Sequence, residues 1–148
     1  MSSQDAPDGL EQLSAMLTGD LRAPIGEKLG FQLVEVQRGR AVFEATPDPS
    51  VYNPFGAVHG GYAATVLDSA CGIAVHSQLE ANRGHTTLEL KVSYVRGLNA
   101  RSGRIRAIGH ALSVGRRVAF AEATLQDEEG RLCATATSTL LVFDLDLP

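Results

Sequence analysis

Val58 to Leu79 reads V-H-G-G-Y-A-A-T-V-L-D-S-A-C-G-I-A-V-H-S-Q-L. This stretch decides the fold. Apolar or small residues fall on nearly every side of the helix it predicts, and such a helix is expected to be buried all round. One acid, Asp68, sits in its middle.

Working outward, the chain on either side reads as strands. Before the helix, Phe31, Leu33 and Val36 are separated from Val42 and Phe43 by the turn signal Arg38-Gly39-Arg40, which predicts a hairpin over Leu29 to Ala45. Pro47, Pro49 and Pro54 then interrupt regular structure from Thr46 to Gly56. After the helix, Leu88, Leu90, Val92 and Tyr94 alternate with Glu89, Lys91 and Ser93, and Ile105, Ala107 and Ala111 oppose Arg104, Arg106 and His110. Residues 117–126 and 131–143 form a hairpin across Asp127-Glu128-Glu129-Gly130. At the N-terminus, residues 1–9 are polar and expected to be frayed, and Leu10, Leu13, Met16 and Leu17 predict a short helix over 10–19. Two strands, one helix and four more strands, with no helix between the later strands, predict α+β with an antiparallel sheet wrapped around the central helix.

The chain has 148 residues, close to the usual size of one domain, so 1–148 is read as a single unit. With 44% hydrophobic and 20% charged residues, it holds enough apolar material for one core, which excludes wholesale disorder. Cys71 and Cys133 are too few for a disulfide framework, and no Cys/His spacing reads as a metal site. A net charge of −4 argues against nucleic-acid binding. No secretory signal or membrane-spanning run stands out, so the expectation is a cytoplasmic protein with no membrane partner.

Asp68 is the residue that needs a reason. Aspartate is rarely buried unless paired or functional, and a carboxylate in an apolar setting is a candidate for acid–base chemistry. A structural Asp bonded to a neighbouring side chain or to water is the alternative. The run Asn53-Pro54-Phe55-Gly56-Ala57-Val58-His59-Gly60-Gly61 opens the helix with two glycines. There the first backbone N–H groups lack partners within the helix and suit a developing oxyanion. A Gly pair can equally be punctuation.

Asn53, His59-Gly60-Gly61 and Asp68, at this spacing, resemble the hotdog-fold acyl-CoA thioesterases, above all the phenylacetic-acid-degradation (PaaI-type) branch related to the 4-hydroxybenzoyl-CoA thioesterases. The likeness runs from about Gly26 to Phe143 and takes in T-L-E-L-K-V-S-Y-V-R (Thr87–Arg96) and G-R-R-V-A-F-A-E-A (Gly115–Ala123). It implies a hotdog fold and hydrolysis of an aryl-CoA or a short- to medium-chain acyl-CoA. Coenzyme A would arrive as part of the substrate, and no metal or other cofactor is implied. Carried over by position, Asp68 is the general base or nucleophile and Gly60 the oxyanion donor. Asn53 and His59 shape the thioester pocket, and Thr87 positions the water. This chain departs from the pattern at Gly72, where some members carry a hydroxyl residue one turn after the acid.

Gly60 and Asp68 are eight residues apart on one helix, about 12 Å of rise, and an Asp side chain cannot close that gap to a shared carbonyl. The two are therefore expected from different protomers, in a homodimer or a dimer of dimers (a homotetramer). From Leu90 to Ala121 there is no acid, and seven of the 13 Lys and Arg lie there. Arg96, Arg116 and Arg117 are the candidates for the phosphates of coenzyme A, since arginine matches phosphate with paired donors. The remaining histidines, His76, His85 and His110, have no ligand-like spacing and are expected on strands or the surface. A non-catalytic acyl-CoA-binding or sensing module on the same fold is the rival expectation. A hydratase or dehydratase is a second, though its differently spaced His–acid pair is absent.

Overall fold

The computed structural model describes residues 5–19 and 22–145. In chain order they form α1 (Gly9–Thr18), α2 (Pro24–Leu29), β1 (Phe31–Gln37), β2 (Arg40–Ala45), a 3-10 turn at Pro49–Val51, α3 (Gly60–His76), β3 (Arg83–Tyr94), β4 (Ile105–Val114), β5 (Val118–Gln126) and β6 (Leu132–Asp144). The six strands make one antiparallel sheet in the order β1-β2-β4-β5-β6-β3, so β1 and β3 are its edges. The long helix α3 lies on this sheet, touching β4, β5, β2, β3 and β6. This is the α+β hotdog architecture expected from the sequence.

The core is the seam between α3 and the sheet. Val66, Leu67, Ala70, Cys71, Ala74 and Val75 are fully buried against Ala107, Ala121, Leu125 and Leu140. Each buried Val or Leu contributes roughly 1.5–3 kcal/mol from apolar burial, while the alanines let helix and sheet approach closely. One close approach is at Gly109 on β4, where an added Cβ would lie 2.1 Å from the Ala70 carbonyl oxygen. The C-terminal end of α3 is tied down by buried Ser77, whose hydroxyl donates to the Ala74 carbonyl (2.7 Å) and accepts from the Gly39 N–H in the β1–β2 turn (2.8 Å).

Several expectations need correction. The helix starts at Gly60 rather than Val58, because His59 is its N-cap, and it stops at His76. It is not buried all round: Ala64, Thr65, Asp68, Ser69, Ile73 and His76 form a half-buried stripe. One sheet covers one side of a helix, and the opposite side stays open in a single chain. Asp8 and Gly9 are not frayed. Asp8 accepts from the Glu11 N–H (2.9 Å) while Glu11 accepts from the Asp8 N–H (3.0 Å), a reciprocal cap that starts α1 at Gly9; residues 1–4 lie outside the described residues. Strand β3 begins five residues before Leu88. A register shift falls between Thr87 and Glu89, so Leu88 escapes the alternation and is exposed instead of facing the core. The sequence reading also missed α2, whose only start signal is Pro24 at its first turn. Pro49 likewise opens a 3-10 turn instead of forbidding one.

Candidate active site

Asp68 projects from the middle of α3 through the open stripe. Its Oδ1 accepts a hydrogen bond from the Thr87 hydroxyl on β3 (2.8 Å), and Oδ2 has no hydrogen-bond partner among the described residues. The side chain is half-buried rather than sealed among apolar groups, because it stands on the stripe the sheet leaves uncovered. Asp68 and Thr87 together line a cavity of about 890 Å³. Leu13, Met16 and Leu17 of α1 and Ile25 of α2 roof the cavity, and Phe31, Leu33 and Phe43 wall it from the sheet. The arrangement is one carboxylate, oriented by a hydroxyl, at the side of a chamber of mixed lining, with Arg22, Glu27 and Gln32 beside its aliphatic and aromatic residues. It can activate a water or attack an electrophile directly, and it can hold an apolar group beside either event.

The start of α3 is organised separately. His59 caps it, with Nδ1 accepting from the Gly61 N–H (2.8 Å). The N–H of Gly60 has no acceptor among the described residues, and the Gly60 carbonyl accepts from the Tyr94 hydroxyl at the far end of β3 (2.5 Å). An added Cβ on Gly60 would crowd that ring at 3.2 Å. Asn53 folds its own loop: its Oδ1 accepts from the Phe55 N–H (2.9 Å) and the Ala57 N–H (3.1 Å). Asn53, His59 and Gly60 therefore form one group and Asp68 with Thr87 another, with Gly60 and Asp68 separated by about 12 Å of helix.

The arginines also divide. Arg116 and Arg117 occupy the β4–β5 turn beside the start of β3. There the Arg116 carbonyl accepts from the Arg83 guanidinium and the Arg117 carbonyl from the Val142 N–H (2.8 Å). Arg96 follows the other end of β3. All three are exposed, yet the length of a 12-residue strand, about 36 Å, separates Arg96 from the pair. One chain does not bring them together.

Two residues the sequence reading set aside belong to this site. His85 lies on strand β3, one of the two places expected, whereas His76 ends α3; their Nδ1 atoms lie 3.2 Å apart, and His85 lines the cavity with Asp68. Burial, then the neighbouring His76, pushes the His85 imidazole down to about 4, and burial lowers His76 as well. Their separation in sequence gave no spacing signal, since α3 and β3 meet only in the fold. Gly72 makes room for them, because a Cβ there would lie 3.1 Å from His85 Nε2. Cys71, one turn from the acid, is fully buried, and burial pushes its thiol up to about 12, so it is inert. Among the described residues no cluster of three His, Cys, Asp or Glu side chains could hold a metal ion, and no helix is long and apolar enough to cross a membrane.

Comparison with known proteins gives a consistent result. The profile of the Thioesterase superfamily matches residues 55–134, which span α3 with its acid, β3 to β5 and the first residues of β6. The chain is 30% identical over 136 residues to 1,4-dihydroxy-2-naphthoyl-CoA hydrolase of Escherichia coli, covering 90% of this chain and 93% of that protein. Among solved structures, a thioesterase family protein of Silicibacter pomeroyi superposes with a TM-score of 0.79 at 27% identity, covering 92% of this chain and 96% of that one. A phenylacetic acid degradation-related protein of Ralstonia eutropha superposes with a TM-score of 0.77 at 30% identity, covering 86% and 97%.

Proposed function

The chain belongs to the Thioesterase superfamily, and from that premise we propose that it hydrolyses acyl-CoA thioesters with Asp68 as the catalytic carboxylate. The observation that carries this reading is the Asp68–Thr87 pair on the wall of a large chamber whose lining includes Leu13, Met16, Phe31 and Phe43. Thr87 occupies Oδ1 and fixes the carboxylate, leaving Oδ2 for the reaction. As general base, Oδ2 takes a proton from water while the water oxygen bonds to the thioester carbon. The carbonyl electrons move onto oxygen, return as the C–S bond breaks, and the CoA sulfur leaves as thiolate to be reprotonated. As nucleophile, Oδ2 would bond to the carbonyl carbon first and water would cleave the resulting anhydride. The chamber roofed by α1 and α2 suits an aryl group or a short- to medium-chain acyl group.

The oxyanion requires a donor that Asp68's own helix start cannot deliver. Gly60 is pinned to Tyr94 and Asp68 to Thr87, so the two halves of the site are fixed at two points on the edge strand β3. Pairing this edge antiparallel with a second copy, with the twofold axis at Lys91 and Leu88 as the extra residue of the register shift, sets Thr87 of one strand beside Tyr94 of the other. The free Gly60 N–H of one copy then serves Asp68 of its mate, in two equivalent sites. The same pairing answers the split among the arginines. It brings Arg96 of one copy to within about three strand spacings, roughly 14 Å, of Arg116 and Arg117 of the other, a span suited to the phosphates of CoA.

The test is a panel of aromatic and aliphatic CoA esters with thiol release measured for the wild type and for Asp68→Asn. Wild-type turnover that falls by about 10²–10⁴ in a folded Asp68→Asn is the expected result. Undiminished turnover in that variant would exclude the assigned role. Binding of CoA esters without thiol release would favour a sensing module instead.

A further inference from the structure

The His76–His85 pair takes no part in the reaction as written, yet it is built with care. Gln12 on α1 donates from its amide Nε2 to the Pro7 carbonyl (3.0 Å), which orients the carboxamide and points Oε1 at His76 Nε2 (2.8 Å). An amide oxygen only accepts, so His76 must carry its proton on Nε2. A neutral His76 then has a bare Nδ1. The contact of 3.2 Å between the two Nδ1 atoms needs one proton, and only His85 can supply it. His85 is therefore the Nδ1–H form, and its Nε2 carries a lone pair. That atom is the one nearest the position of a Cβ on Gly72, on the cavity wall, and it has no hydrogen-bond partner among the described residues.

From this one-way chain we infer that His85 is a specificity residue. Its Nε2 lone pair, aimed into the acyl chamber, selects thioesters whose acyl group bears an O–H or N–H donor. The inference rests on the reading of the cavity as the acyl site. Gln12 and His76 act as positioning residues, holding the tautomer that leaves the lone pair free. The titratable groups facing His85 are His76 and Asp68 from α3; His76 donates its proton to Gln12 and Asp68 accepts from Thr87, so neither is placed to donate to Nε2. Proton transfer is a poor alternative role, because burial and His76 keep the imidazole neutral until about pH 4. A neutral acceptor that finds a donor rewards that substrate, and an ether or hydrocarbon in the same place leaves the lone pair unmet.

The experiment compares hydroxybenzoyl-CoA isomers, with the hydroxyl ortho, meta or para, each against its methoxy ether. For at least one isomer the wild type should favour the phenol by about tenfold or more in kcat/KM. His85→Phe should bring that ratio close to one, and His85→Gln, which retains an acceptor, should restore part of it. Gln12→Leu should lower the ratio without touching the cavity wall. Nitrogen NMR of the histidines gives a readout independent of turnover: His85 as the Nδ1–H form and His76 as the Nε2–H form at neutral pH. A wild-type ratio near one for every isomer, an unchanged ratio in His85→Phe, equal loss of both substrates in a folded variant, or a proton on His85 Nε2 would each overturn the inference. If the wild type hydrolyses none of these aromatic esters, the thioesterase reading is decided separately, by thiol release from the aliphatic CoA esters. Calorimetric affinities for the same pairs then test His85 by the same ratio.

Discussion

At the scale of single residues, the features that matter most are contacts between groups far apart in the chain. Asp68 and the glycines at the helix start were legible in the sequence, because a lone acid in an apolar run and an N-terminal Gly pair each break a pattern. The His85–His76–Gln12 chain was not, since its members sit on α1, α3 and β3 and no local spacing links them. The pair also makes the fold sensitive to acid. In the folded chain both imidazoles titrate below the unfolded value of about 6.5, His85 at about 4. The unfolded chain therefore binds protons first as pH falls. Stability should be complete above about pH 6.5 and should decline from there toward pH 4, by on the order of 3 kcal/mol from His85. Denaturant midpoints measured from pH 7 to 4 check this, and His85→Phe should flatten that part of the curve.

At the scale of elements, the helix and strand periods were read with most success where one face is buried, as in β4 and β5. They failed where the sheet does not decide: the stripe of α3 faces the cavity instead of the sheet, and the register of β3 shifts on the edge strand. The roof of the chamber depends on a small contact. Gly9 opens α1 against the end of α3, its N–H donating to the Leu79 carbonyl (2.9 Å), and an added Cβ would lie 1.8 Å from the His76 carbonyl oxygen. No rotamer relieves that clash, since the backbone alone fixes the position of a Cβ and the carbonyl oxygen is itself backbone. Gly9→Val should therefore push α1 outward, costing about 1–3 kcal/mol by overpacking. Because Leu13, Met16 and Gln12 move with the helix, the variant should also raise KM more than it lowers kcat. Thermal melts and steady-state kinetics on the same preparation test both parts.

For the whole molecule, helix rise alone separated Gly60 from Asp68, and the fold adds that Gly60 is anchored to the last residue of β3 and Asp68 to Thr87, seven residues earlier. That arrangement predicts complementation. Asp68→Asn chains mixed with Gly60→Pro chains, each inactive alone, should recover activity toward one intact hybrid site per dimer after subunit exchange. No recovery, with both variants folded and exchanging, would count against a shared site. The division of Arg96 from Arg116 and Arg117 could not be read from a charge run, because adjacency along the chain is not adjacency in an antiparallel sheet. One position without any chemistry governs all of this. At Gly109 the floor beneath α3 is bare backbone, touching the turn of helix that follows Asp68. A thicker floor would lift the carboxylate away from Thr87, so the Asp68–Thr87 contact is inherited only together with that blank, and drift at a silent position would be felt first as the loss of that contact.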